Sequence, residues 1–151
     1  MKVDSFNVRA YGILFNQDSV LLSKEWYANH PGPIFKFPGG GVNLGEGPVD
    51  CVIREFNEEA NLLVSVHEII HVGRGFVKSF FNDTQVISLY FRVQSLGGMP
   101  PVDKKLPDPE GRDGAWYQLF WCPISQLKPE LMTFSNEQEM ATVLQKYPVP
   151  D

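Results

Sequence analysis

Between Pro48 and Ala60 the apolar residues change from alternate spacing to a spacing of three and four. Val49, Val52, Ile53, Phe56 and Ala60 fall at i, i+3, i+4, i+7 and i+11, which puts them in one stripe along a helix. Pro48 suits the first helical position, and Asn61 suits the left-handed residue that closes a helix. Most of the remaining chain alternates with a period of two, so this helix has to be accommodated against strands.

Phe6, Val8, Ala10, Gly12 and Leu14 alternate with mostly polar neighbours and predict a strand with one buried face. Asn16-Gln17-Asp18-Ser19 is turn chemistry, and residues 20–26 read as the hairpin partner. A loop over 29–33 leads to a short apolar run, Ile34 to Phe37, ending in Pro38-Gly39-Gly40-Gly41. Strands are predicted again at about 64–81 and 85–95, joined at 82–84, and a last one at 116–122. The stretch 97–111 is irregular, the mark of a functional or mobile loop. Ser135-Asn136-Glu137-Gln138 is a capping-box pattern, and Met140, Val143, Leu144 and Tyr147 give the helix it opens an apolar face. One central and one terminal helix among strands imply an α/β fold with the sheet covered on two sides.

At 151 residues the chain is the size of one domain, taken here as 1–151. With 43% hydrophobic and 21% charged residues and no run of 18 apolar residues, neither a spanning helix nor a disordered chain is expected. Met1-Lys2-Val3-Asp4 carries no secretory pattern. Two cysteines, Cys51 and Cys122, make neither a disulfide framework nor a zinc spacing, so a reducing cytoplasm is the expected location. A net charge of −5 repels long polyanions, which argues against a nucleic-acid polymer as partner. A small anionic substrate is still admissible, because a bound divalent cation reverses the sign locally.

The central helix carries a second stripe. At 100° per residue Glu55, Glu58 and Glu59 lie within about 100° of one another, on the side opposite Val49 to Phe56. Like charges at this spacing destabilise a helix by a few tenths of a kcal/mol, roughly, and a hard divalent cation offsets that. Arg54 stands beside the stripe, and glycines at 39, 40, 41, 45 and 47 let backbone approach closely just before a helix N-terminus, where phosphate is favoured.

Taken together, Gly40, Glu46, Arg54-Glu55, Phe56, Glu58-Glu59 and Leu62 resemble the Nudix box. That pattern is Gly, five residues, Glu, seven residues, Arg-Glu, an apolar residue, any residue, Glu-Glu, any residue, Gly, apolar. Each fixed position matches except the final Gly, here Asn61. Six fixed letters recur by chance on the order of 10⁻⁸ per register, so coincidence is a poor account. Asn is the next-best residue at a left-handed helix end, so the departure bears on the turn and not on the carboxylates.

The resemblance implies a Nudix-type α/β/α sandwich around a mixed β-sheet and hydrolysis of a nucleoside diphosphate linked to another moiety, with Mg²⁺ or Mn²⁺. By motif position Glu55 and Glu59 would be the main metal ligands, Glu58 would assist, and Arg54 would hold Glu55. The carbonyl of Gly39 or Gly40 would be a further ligand, and Glu46 would anchor the loop. For the general base, Glu110 is favoured over Asp108 and Asp113 because glycine and prolines flank it. Trp26, Tyr27 and Phe35 stand where the family often contacts the non-phosphate group, and Arg74, Lys78 and Arg92 are cations that could meet phosphates; Trp26, Tyr27 and Arg74 are the substrate-binding candidates. His30, His67 and His71 lack ligand spacing and read as structural. The implied partner is a small nucleotide-type diphosphate, with no membrane partner and with homodimer formation left open. Nucleoside triphosphates, dinucleoside polyphosphates, nucleotide sugars and ADP-ribose suit the box equally. The alternatives are a non-catalytic nucleotide-sensing module, which would typically lose box carboxylates, an isoprenoid diphosphate isomerase, which wants an activated cysteine, and an acidic interaction domain.

Overall fold

The hairpin expected at the start of the chain forms, and its divergence shapes the rest of the molecule. In the computed structural model, which describes residues 2–150, β1 (Ser5–Asn16) turns through Gln17, at φ 54°, into β2 (Ser19–Trp26). Met1 and Asp151, the ends of the expected span, lie outside the described residues. β1 and β2 pair only at Phe15–Val20 and Asn16–Ser19, and then separate. Two short strands fill the opening: β3 (Ile34–Lys36) pairs with β2, and β4 (Gly39–Gly41) pairs with β1. The glycine run, read from sequence as the end of an apolar stretch, is therefore itself a strand.

After β4 come α1 (Pro48–Ala60), β5 (Val64–Val72), β6 (Thr84–Ser95), β7 (Leu106–Pro107), β8 (Trp116–Pro123) and α2 (Ser135–Leu144). The main path of the sheet runs β5-β6-β1-β2-β8-β7. The β1–β6 pair is parallel from Ser5–Thr84 to Leu14–Val93 and the other pairs are antiparallel, so the sheet is mixed, as expected. Two apolar cores cover it. Ala10, Leu14, Val52 and Phe56 belong to the one under α1, and Tyr11, Ile13, Met140 and Leu144 to the one under α2. Gly12 is required here, since a Cβ on it would stand 2.4 Å from the Phe56 ring.

Several expectations are corrected. The centre of β1 is buried on both faces, because both cores press on it, whereas Phe6 extends beyond them and is 70% exposed. β5 ends at Val72 and not near 81; Gly73 and Gly75 interrupt the run, and 73–83 leaves the sheet with one isolated bridge, Lys78–Gln85. The capping box at Ser135 does not form. Phe134 is the N-cap without a side-chain bond, and Glu137 turns into the core to accept from the Tyr90 hydroxyl. The α1 boundaries are as predicted, with Asn61 left-handed at φ 48° and ψ 44°. Among the described residues no helix is long and apolar enough to cross a membrane.

Candidate active site

The site lies at the mouth of the opening between β1 and β2, and the orientation of α1 puts the acidic stripe there. Buried positions on α1 are Cys51, Val52, Phe56 and Ala60. At 100° per residue these bound an arc of about 180° that includes Glu55 and Glu59. The carboxylates thus share the inward face and are not opposite it, while Val49 and Ile53 stay 41% and 36% exposed. Gly40 makes this possible: a Cβ there would sit 2.3 Å from Glu55 Oε1. Gly39 is equally constrained, with φ 152° and a Cβ position 2.3 Å from the Ala10 carbonyl. The Cys51 thiol donates to the Gly40 and Gly41 carbonyls at 3.5 and 3.4 Å, tying the helix to β4.

Arg54 organises the acidic side. Its Nε and Nη2 donate to Glu46 at 3.0 and 2.7 Å, a two-pronged pairing, while Nη2 also donates to the Gly41 carbonyl at 3.0 Å. Nη1 reaches Glu55 Oε1 at 3.0 Å and Glu58 Oε2 at 3.4 Å. The bonds from Arg54 and from the Asn43 amide hold the Glu46 carboxyl down to about 2. Glu46 is accordingly committed to loop and arginine.

Glu59 is different. Its Oε2 is buried with no hydrogen-bond partner. Burial pushes its carboxyl well above the usual range; Lys36 opposes this, and Glu55 beside it adds to the rise. Lys36 is itself buried, its Nζ 3.4 Å from both Glu25 Oε2 and the Gly39 carbonyl. Burial would lower the lysine, but Glu25 and Glu59 outweigh it and keep the ammonium charged. Glu25 in turn accepts from Ser23 Oγ at 3.0 Å and from the Tyr27 hydroxyl.

These groups line a cavity of about 220 Å³. Asn7 and Arg9 of β1, Tyr117 of β8 and the segment Asp108-Pro109-Glu110 complete its walls. Arg112 fastens that segment: it donates to Asp108 at 2.8 and 3.0 Å, lies 2.8 Å from Glu110, and rests 5.0 Å from the rings of both Tyr27 and Phe81.

Of the candidates read from sequence, Glu55, Glu58, Glu59, Gly39, Tyr27 and Glu110 line this cavity. Arg54 borders a wider groove outside it together with Glu55, Glu58 and Glu110. Glu110 is 71% exposed on its side chain, whereas Asp108 is sequestered by Arg112, and Asp113 is not part of the lining. Trp26 stacks on Trp116 at 3.6 Å between ring centroids, and it is Trp116 that reaches the cavity. Arg74 is not brought to the site: its backbone N–H bonds Glu139 on α2. His30 is held by the Gly32 carbonyl, His67 by Ser65 and His71 by Glu139, and none of the three lines the cavity. Sequence reading missed Arg9, Glu25, Lys36 and Arg112. The one signal that could have found any of them is a charge inside an apolar run, Phe35-Lys36-Phe37.

Among the described residues no three carboxylate, imidazole or thiol groups form a ready-made cation cage. The chain does offer a partnerless buried carboxylate oxygen on Glu59, with Glu55 next to it, a donor chemistry that fits a hard divalent cation shared with a ligand.

The sequence model of the NUDIX domain matches residues 6–145. Among solved structures, a NUDIX hydrolase from Nitrosomonas europaea superposes with a TM-score of 0.69 at 17% identity, over 95% of this chain and 93% of the other. A MutT NUDIX hydrolase from Burkholderia pseudomallei gives 0.68 at 17% identity, over 95% and 99%. A protein described as an ADP-ribose pyrophosphatase, from Streptococcus suis, gives 0.61 at 18% identity, over 95% and 94%. At these identities the likeness establishes the fold.

Proposed function

The chain belongs to the NUDIX domain family, a pyrophosphohydrolase by that membership, and on this premise we propose that it hydrolyses a diphosphate linkage in a small nucleoside diphosphate derivative with Mg²⁺ or Mn²⁺ as cofactor. The observation that carries the reading is the buried, partnerless Glu59 oxygen beside Glu55 at the glycine strand. The nucleotide-type substrate is supported by the Streptococcus suis relative's description and by the cations Arg9 and Lys36 in the cavity lining.

Glu55 and Glu59 hold the cofactor, with Glu58 assisting from the rim and the Gly39 carbonyl as a further ligand. When bound, the cation neutralises non-bridging phosphate oxygens and lowers the pKa of the attacking water. Arg54 is a positioning residue, fixing Glu55 through Nη1 while anchoring the Glu46 loop. Glu110, exposed at the rim of the cavity, takes the proton of the attacking water. Tyr27 and Trp116, which line the cavity, offer aromatic contacts to the leaving moiety.

The test is phosphate and pyrophosphate release from nucleoside triphosphates, nucleotide sugars, ADP-ribose and dinucleoside polyphosphates, with Mg²⁺ or Mn²⁺ and then with EDTA. Turnover that EDTA stops and that Glu59→Gln lowers by about 10² or more, in a protein with unchanged circular dichroism, is expected. Full activity in Glu59→Gln and Glu58→Gln would overturn the carboxylate assignment. Nucleotide binding without turnover would replace the hydrolase reading with a sensing one.

A further inference from the structure

Residues 108–115 join β7 to β8 and bring Asp108, Pro109 and Glu110 into the wall of the cavity. Backbone pairing does not account for that placement. Among the described residues, the backbone hydrogen bonds of this loop close on the loop itself. Gly111 N–H reaches the Asp108 carbonyl at 2.9 Å, Ala115 N–H the Arg112 carbonyl at 3.1 Å, and Arg112 N–H the Asp108 carboxylate at 2.8 Å. β7, on which the loop begins, is two residues long and stands at the edge of the sheet.

What reaches out of the loop is the Arg112 side chain. Its guanidinium rests 5.0 Å from the ring of Tyr27, just after β2, and 5.0 Å from that of Phe81, in the segment before β6. Those two rings meet edge to face at 5.3 Å, so they form one platform. Nε and Nη2 donate to the two oxygens of Asp108 at 2.8 and 3.0 Å, while Nη1 lies 2.8 Å from Glu110 Oε2. Stacking on rings while gripping a carboxylate with two prongs needs a planar fork, which a lysine does not have. Asp108, 5% exposed on its side chain, already neutralises the cation, so Glu110 is not needed for that. An ion pair as open as Arg112–Glu110, 39% and 71% exposed, also contributes little to stability. What the pair does fix is where Glu110 stands: one carboxylate oxygen is held and Oε1 is left to accept a proton. Arg54 treats Glu55 in the same way on the opposite wall.

We propose that Arg112 is a positioning residue for hydrolysis, docking the 108–115 loop on the Tyr27–Phe81 platform and so presenting Glu110 to the attacking water. The inference rests on Glu110 taking that proton and names what holds it in place. Displacing a positioned group by about 1 Å lowers rate by roughly 10², and the loss falls on kcat because the substrate is bound by other groups.

The experiment measures kcat and KM with Mg²⁺ for Arg112→Ala, Arg112→Lys, Phe81→Leu, Glu110→Gln and the double variant Arg112→Ala with Glu110→Gln, on whichever substrate the wild type turns over. Arg112→Ala and Arg112→Lys are expected to lower kcat by about 10–100-fold with KM held within about threefold, and Phe81→Leu to lower it by less. The double variant should be no slower than Glu110→Gln alone, since Arg112 acts through Glu110. A second reading needs no substrate: cleavage by a glutamyl endopeptidase after Glu110 should be about tenfold faster in Phe81→Leu and in Arg112→Ala than in the wild type, with circular dichroism unchanged. Cleavage at the wild-type rate in both variants overturns the docking, whatever the turnover. A raised KM at constant kcat, wild-type kcat in Arg112→Lys, or losses that add in the double variant overturn the positioning role. A slow Glu110→Gln beside a fully active Arg112→Ala does so too and spares Glu110 as the base. Full activity in Glu110→Gln overturns the base assignment itself.

Discussion

A Cβ on Gly40 would meet Glu55 at 2.3 Å from Oε1 and 2.7 Å from Cδ, so an alanine there has to move a carboxylate that Arg54 already holds from the other side. Overpacking of this kind costs about 1–3 kcal/mol. Its effect on chemistry is expected to exceed its effect on stability, because displacement of a positioned group by about 1 Å can lower rate by roughly 10². Gly40→Ala should therefore reduce kcat about a hundredfold at a modest loss in denaturation midpoint. Gly32→Ala, which has open space around its Cβ, should change neither. Undiminished kcat in Gly40→Ala would show that the close approach of Glu55 to β4 is not needed for turnover.

On the scale of elements, the two ends of α1 could be read from Pro48 and Asn61 because each acts through its own backbone. Asn61 supports a direct test: glycine adopts the left-handed conformation without the steric cost an L-residue carries. Asn61→Gly is expected to raise stability by up to about 1 kcal/mol in urea denaturation while kcat stays unchanged; a loss of stability would mean that the Asn61 side chain contributes a contact of its own. The rotation of α1 could not be read. Periodicity weighs only apolar side chains, whereas Arg54, Cys51 and the bare face of β4 turn the carboxylates inward. At α2 the same limit applies: Ser135 to Gln138 fits a local cap, but Tyr90, 47 positions away, claims Glu137 instead. Burial pushes the Glu137 carboxyl up to about 7, against the pull of Tyr90 on β6, Lys36 on β3 and Arg9 on β1. The folded state therefore binds a proton that the unfolded state has lost between pH ~4.5 and ~7, and stability from this group falls as pH rises through that window, then levels. The shift is worth about 3 kcal/mol. Unfolding free energies at pH 5 and 7.5 should differ by about 2 kcal/mol less in Glu137→Gln than in the wild type, the part of the shift that falls inside that interval, and equal differences would refute it.

For the whole molecule, the divergence of β1 and β2 decides which charges meet. The motif residues Glu55, Glu58 and Glu59 were legible because they sit within one helix turn of each other. Arg9, Glu25 and Lys36 were not, because they come from three strands and converge only where β3 and β4 fill the opening. The two covers of the sheet could be inferred from element types alone, since each amphipathic helix needs an apolar face to rest on, whereas its mixed character followed only from the resemblance of the motif. The cost of this arrangement is concentrated at Glu59, a buried carboxylate oxygen with no donor next to a second carboxylate, offset in part by Lys36. A cation that binds there binds the folded chain and not the unfolded one, so it must raise stability by mass action, about 2.7 kcal/mol at a hundredfold excess over Kd. For a chain of this length that is a rise in Tm of roughly 5–10 °C. Thermal unfolding with Mg²⁺ or Mn²⁺ in the absence of any substrate should show it. Glu59→Gln, whose amide stands in for the neutral carboxyl that burial favours, should start from a Tm close to that of the wild type without metal and should respond little to the cation. A wild-type Tm indifferent to both metals, or an equal rise in Glu59→Gln, would place the cation elsewhere than between Glu55 and Glu59.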